Sequence, residues 1–213
     1  GIQGCLMALM FRKHGFDVTV IDRDDDIMAR ANTTGEGQVH MGLAHASAND
    51  TSMRMSTATD MLKSAMRFAA YTEYLVEHPL DWSRLRSERL TYLLPRTSHV
   101  TPKEFKALSR KLDRVYEGIL AEDPTLTYLG EQPASIILGQ TEIPNAVNAS
   151  YIDAAYKSSE VCILSNELKE VLREALARAQ VKLVLNRTVT DVQRKPSKYG
   201  LGKFKVVTNI GET

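Results

Sequence analysis

Two cysteines, Cys5 and Cys162, are all the chain has, with neither metal-ligand spacing nor a disulfide framework around them. Buried, reduced thiols are the expectation. His14, His40, His45, His78 and His99 are scattered and form no HExxH or CxxC partner set, so a structural metal is not expected. A run of one charge sign is missing too: 27 basic residues against 26 acidic leave +1, which argues against a general nucleic-acid grip. No apolar stretch approaches the roughly 18 residues that span a bilayer. Leu6 to Phe11 lacks the basic flank of a signal-peptide core. The expectation is a cytoplasmic protein without a transmembrane segment. Gly1 to Cys5 is a faint acylation start, with Cys5 in place of the usual Ser or Thr, which leaves a peripheral membrane contact open. No internal repeat or low-complexity tract is evident.

What is present begins at once. Gly1, Ile2, Gln3 and Gly4 precede a helix-like run and then Val18-Thr19-Val20-Ile21-Asp22, the back half of a GxGxxG dinucleotide fingerprint. The full pattern has a strand and a glycine upstream, so the chain reads as a fragment that opens inside its own phosphate loop. Cys5, Leu6, Leu9 and Met10 give a helix an apolar surface, and Arg12, Lys13 and His14 before Gly15 make a helix end. Phe16 to Ile21 reads as a buried parallel strand. Asp22, eighteen residues after Gly4, either accepts hydrogen bonds from an adenosine ribose or only caps the following turn.

Next comes a loop with Gly35, Gly37 and Gly42, in which Thr33 and Thr34 offer hydroxyls and apolar Val39, Met41 and Leu43 point to an interior course. Ser52 to Glu77 has helical spacing, its Met-rich stripe reading as core packing. Thr101-Pro102-Lys103-Glu104 is a capping box with proline at the first helical position, opening a helix to about Leu120. Arg89 to Leu94 and Ala134 to Leu138 read as strands. Ser165 caps a helix from Asn166 to about Ala179, Val181 to Leu185 is a short strand, and the runs around Val189 and Phe204 form a hairpin. With 43% hydrophobic residues the chain can bury a substantial core.

The order of headless fingerprint, Val20-Ile21-Asp22 and then Gly35-Glu36-Gly37-Gln38-Val39-His40-Met41-Gly42 resembles the FAD-dependent oxidoreductases of the D-amino-acid oxidase superfamily. That group includes glycine and sarcosine oxidases, glycerol-3-phosphate dehydrogenase and L-2-hydroxyglutarate dehydrogenase. Gly37, Val39, His40 and Gly42 match a segment that lies beside the flavin in the last branch, whereas Gly35 stands where Asn is common. The resemblance implies an α/β fold: an incomplete Rossmann-like FAD-binding domain formed by 1–47 and 166–213, with an α+β substrate domain inserted at 48–165. It implies FAD as cofactor, bound by Gly1, Gly4, Asp22, Arg23, Thr33, Thr34, Gly35, Gly37, Gln38, Val39 and Val189. The position of Val189 would read the adenine through its backbone; alternatively Val189 is a core strand residue.

His40 is the candidate catalytic residue, as base, flavin polariser or covalent flavin link, and the alternative is a neutral histidine bonded to backbone carbonyls. His45 is a weaker second. Of Arg84, Arg86, Arg89 and Arg96, most read as solvated or paired with Glu88 and Asp81, and Arg96 is the choice for a carboxylate clamp. The expected activity transfers a hydride from the carbon bearing an amine or hydroxyl of a small acid or polyol phosphate to flavin N5. The other readings are an NAD-linked dehydrogenase and a non-catalytic α/β nucleotide-binding protein. With one wall of the pyrophosphate cradle missing, the purified 213-residue chain alone is expected to bind FAD poorly; stoichiometric flavin absorbance with substrate-dependent bleaching would refute this.

Overall fold

The computed structural model describes residues 1–30, 35–44, 51–195 and 203–212. His45, Thr33 and Thr34 lie outside them. The chain divides into two compact units: residues 1–35, 75–77 and 165–213, and residues 36–74 and 78–164.

In the first unit, α1 (Ile2–Lys13) buries Cys5, Ala8 and Leu9, one face at helical spacing. Gly15, at φ +83°, supplies the left-handed exit that its position after the basic last turn implies. Strand β1 is only Thr19–Ile21, shorter and more exposed than the sequence indicates: Phe16 is 59% exposed. Its only strand neighbour among the described residues is the equally short β5 (Lys182–Val184), in a parallel pair with Val20 opposite Leu183. A parallel strand is buried only where helices or strands cover it, and here one edge has no partner among the described residues. The helix α5 (Ser165–Arg178) buries Leu168, Leu172, Ala175 and Leu176 and packs against α1, giving the Rossmann-like arrangement of parallel strands and helices. Beyond β5 an antiparallel ribbon follows: β6 (Val189–Lys195), β7 (Lys203–Thr208) and β8 (Gly211–Glu212).

The second unit is α+β. Its antiparallel sheet has the order β2 (Thr91–Pro95), β4 (Ile152–Ser158), β3 (Ile137–Thr141). The helix α4 (Pro102–Glu122) starts where the capping box places it. Thr101 Oγ1 accepts from the Glu104 amide, and the Glu104 carboxylate accepts from the Thr101 amide at 2.8 Å. Phe105, Leu108, Leu112, Tyr116 and Ile119 form its buried stripe. Phe105 joins it to the sheet, its ring centroid 5.2 Å from Tyr156 on β4 and 5.9 Å from Tyr92 on β2. The long helix α2 (Thr51–Val76) buries Ala58, Leu62, Ala65, Met66 and Ala69. A short helix, α3 (Trp82–Leu85), is capped by Asp81. No helix among the described residues is long and apolar enough to cross a membrane.

The glycine loop enters the interior as expected, with Met41 and Leu43 buried. Gly42, at φ +101°, lies against α2: a Cβ there would stand 2.6 Å from the Ala58 carbonyl oxygen. The close backbone approach implied by this glycine is therefore to a helix. Gly42→Ala should lower stability by about 2–3 kcal/mol, read as a fall in urea midpoint without loss of secondary structure; an unchanged midpoint would contradict the contact.

Candidate functional site

In the first unit the fingerprint residues converge on one corner. The N-terminus of α1 has no side-chain cap at Gly1 and no acidic residue in its first turn, so its dipole end carries no competing negative charge of its own. At Gly4 an added Cβ would meet nothing within 4 Å. Asp22, just past β1, lies with Oδ2 3.8 Å from the Gly1 nitrogen, while its Oδ1 accepts from the Asp24 amide at 3.2 Å. The turn-capping role is thus real but occupies one oxygen. Arg23 is exposed.

Backbone bonds bring the hairpin entry to the same corner. The Asp22 amide donates to the Val184 carbonyl at 3.0 Å, the Arg187 amide to the Asp22 carbonyl at 2.9 Å, and the Asn186 amide to the Asp24 carbonyl at 2.9 Å. Val189 begins β6 opposite Thr208 and is 43% exposed, so it is not a core residue. These positions fit the adenosine and pyrophosphate part of a dinucleotide in kind: an uncapped helix N-terminus, a partly free carboxylate and an exposed strand start.

Gly35 is exposed at the edge of the first unit. Gly37, Gln38, Val39 and His40 belong to the second unit, where residues 37–39 run extended beside residues 161–163. The Val39 amide donates to the Val161 carbonyl at 3.3 Å and the Ile163 amide to the Gly37 carbonyl at 2.8 Å. Tyr128 staples the pair: its hydroxyl donates to the Val39 carbonyl at 2.5 Å and accepts from the Val161 amide at 3.1 Å. Burial pushes its phenol well above the usual range, which keeps it a donor.

Behind the segment sits Glu160, with no accessible surface. Its carboxylate accepts from the Gln38 carboxamide at 2.6 Å, from the Met41 amide at 2.6 Å and from the Tyr92 hydroxyl. Burial first, then the Glu160 charge, raise the Tyr92 phenol, so the proton stays on tyrosine. The His40 Nδ1 is buried, lies 3.9 Å from Glu160 Oε2 and makes no hydrogen bond. The expected backbone-carbonyl partner of the ring nitrogen is not found at Nδ1. His40 and Val39 line a cleft of about 440 Å³ with Thr57, Asp60, Met61, Ser64 and Phe68 of α2. Met66 is core, but Met61 of the same stripe faces this cleft, a departure from a purely structural helix face.

Sequence reasoning missed Glu160. Its one signal is an acid set directly before the apolar run Val161-Cys162-Ile163. The arginine pairing also needs correction. Arg86 and Arg89 both bind Glu131, the latter at 2.8 Å, whereas Asp81 is spent on capping α3 and Arg96 approaches Asp153 at 3.6 Å. The reason is the reciprocal Tyr128–Glu131 backbone turn, which presents a carboxylate more than forty residues downstream, beyond the reach of local pairing. Of the cysteines, Cys5 is buried and Cys162 half-buried.

The two guanidiniums hold the Glu131 carboxyl down at about 2. Because this lies below the ordinary value of about 4.3, the pair stabilises the fold above that pH and its contribution disappears as pH falls through about 2. Glu131→Gln should therefore cost about 1 kcal/mol at neutral pH, little because a 37% exposed side chain is screened. The gap from the parent should close between pH 4.5 and 2 in chemical unfolding curves, and a gap that persists at pH 2 would refute the ion-pair account.

No curated protein matches the chain. The model of the FAD dependent oxidoreductase family, DAO, matches residues 1–213. Glycine oxidase from Geobacillus kaustophilus is similar in structure, with a TM-score of 0.59 at 18% identity, over 100% of this chain and 50% of that one. L-amino acid deaminase from Proteus vulgaris gives 0.58 at 12% identity, over 100% and 43%. Dithionite-reduced L-alpha-glycerophosphate oxidase from Mycoplasma pneumoniae, solved with FAD bound, gives 0.54 at 12% identity, over 98% and 47%. These likenesses concern the fold, and the chain spans about half the length of the solved structures it matches.

Proposed function

This chain belongs to the DAO family of FAD dependent oxidoreductases, and we propose that the protein carrying it oxidises a carbon bearing an amine or hydroxyl in a small acid or polyol phosphate. The observation that carries the reading is the family match across residues 1–213. It sets aside the nicotinamide-linked alternative. When bound, FAD supplies the hydride acceptor at flavin N5.

The chain's own residues divide the remaining work. In the first unit, the helix end marked by Gly1 and Gly4 would lie against the pyrophosphate, and Asp22 would accept from ribose hydroxyls. The backbone at Val189 would meet the adenine, with Arg23, Thr33, Thr34 and Gly35 supplying the neighbouring contacts. In the second unit, Gly37, Gln38 and Val39 hold the segment on which His40 reaches a cleft with several apolar walls. There His40 would take the proton from the substrate N–H or O–H as the hydride leaves carbon, so that a C=N or C=O bond forms. The apolar walls from Val39, Met61 and Phe68 would limit water at that point.

The protein carrying this chain should show visible flavin absorbance, with FAD released by heat. Asp22→Ala should weaken FAD binding roughly tenfold, and His40→Ala should slow anaerobic flavin bleaching by about 100-fold while FAD stays bound. A nicotinamide, or no cofactor, in the heat extract would sink the reading. Tight FAD binding without bleaching by any amino or hydroxy acid would favour a non-catalytic flavoprotein.

A further inference from the structure

Glu160 is an expensive residue to bury. A carboxylate without solvent loses its hydration, a loss that donors or a cation must make good. Among the described residues no lysine or arginine is ion-paired with it, and its three hydrogen bonds come from Gln38, Met41 and Tyr92. An ionised carboxylate offers about four acceptor positions. Gln38 and Tyr92 donate to Oε2 and Met41 to Oε1, and a buried atom without a hydrogen-bond partner, His40 Nδ1, lies 3.9 Å from Oε2.

We propose that Glu160 is a positioning residue that holds His40 as the Nδ1–H tautomer and so leaves Nε2 unprotonated as the proton acceptor on the ring lining the cleft. A lone pair on Nδ1 would face the carboxylate charge and be repelled, whereas an N–H there turns the positive end of its dipole toward that charge. At 3.9 Å, with Oε2 already accepting two hydrogen bonds, the coupling is that of a dipole and a charge in a buried setting. Tyr92, Tyr128 and Asp60 are the other titratable groups of these surroundings. Tyr92 sits behind Glu160 as a donor, Tyr128 is spent on the Val39 and Val161 backbone, and Asp60 of α2 lines the cleft as a second acid.

The proton bookkeeping closes. The substrate proton goes to Nε2, Nδ1 keeps its own, and the imidazolium that results faces the Glu160 carboxylate, which gains no proton. A bound flavin would supply the acceptor for the hydride leaving the same carbon. The proposal rests on His40 as proton acceptor, yet the tautomer is read without flavin or substrate.

The test is nitrogen NMR of the protein carrying this chain, with ¹⁵N-labelled histidine, under alkaline conditions in which imidazole is neutral. The parent should show His40 as Nδ1–H. Glu160→Gln, which turns an acceptor into a carboxamide, should lower the Nδ1–H share at least twofold. In turnover the same variant should lose about tenfold in kcat with KM within about twofold. A parent ring in the Nε2–H form, or an unchanged tautomer in Glu160→Gln, overturns the proposal. Should Glu160→Gln fail to fold, Tyr92→Phe keeps the carboxylate charge and must retain Nδ1–H; its loss there overturns the proposal equally. A protein that holds no flavin but shows the tautomer change would defeat the functional reading and leave the positioning role standing.

Discussion

A carboxylate cut off from water has to be answered from inside the protein, and in the second unit that requirement organises everything near the cleft. Glu160 draws in a side chain from the 37–41 segment, a backbone amide from the same segment and a phenol from β2. The three donors come from two separate parts of the sequence, so one buried charge fixes the register of the 37–41 segment against β2. Remove it and the Gln38 nitrogen, the Met41 amide and the Tyr92 hydroxyl each lose an acceptor, which is costlier than any one bond is worth. Tyr128 performs the neutral counterpart on the other side, bonding both strands of the extended pair with one hydroxyl. The Gly37 to Met41 segment is therefore set by polar contacts at depth, and Met41 and Leu43 add the apolar burial.

Local chemistry was the legible part of the sequence. The capping box at Thr101 and the glycine exit after α1 depend on residues within a few positions, and both stand where the pattern puts them. The helix stripes at Phe105–Ile119 and Leu168–Leu176 follow for the same reason. Strand β4 was invisible because Ala154, Ala155 and Tyr156 are all buried, so no alternation marks it, and alanine has little strand preference of its own. Glu160 and the Arg86–Glu131 pair escaped because nothing nearby in sequence announces their partners. Asp22 shows an intermediate case. Its ribose and turn-capping readings looked exclusive in sequence, yet a carboxylate has two oxygens and the turn uses one.

The glycine-rich loop carries a similar lesson about motifs. Its spacing resembles a flavin-side segment, and the family match over the whole chain agrees with that origin. Even so, Gly42 is required by the carbonyl of Ala58 on α2. A motif can mix residues kept for a ligand with residues kept for a neighbouring helix, and only the surroundings separate them. Met61 and Met66 divide in the same way on one helix, the first at the cleft and the second in the core.

The parallel pairing of β1 with β5 has a consequence in time. Thr19 and Lys182 are 163 positions apart, so on a ribosome the first strand emerges long before its partner exists. The second unit, whose residues lie between them, is complete in sequence by Leu164 and can collapse first. Meanwhile α1, with Cys5, Ala8 and Leu9 unburied, must wait for α5. Long-range closure of this kind slows folding and prolongs the exposure of apolar surface. The corner made by Gly1, Asp22 and Arg187 thus comes together only after the residues of the second unit have all been made.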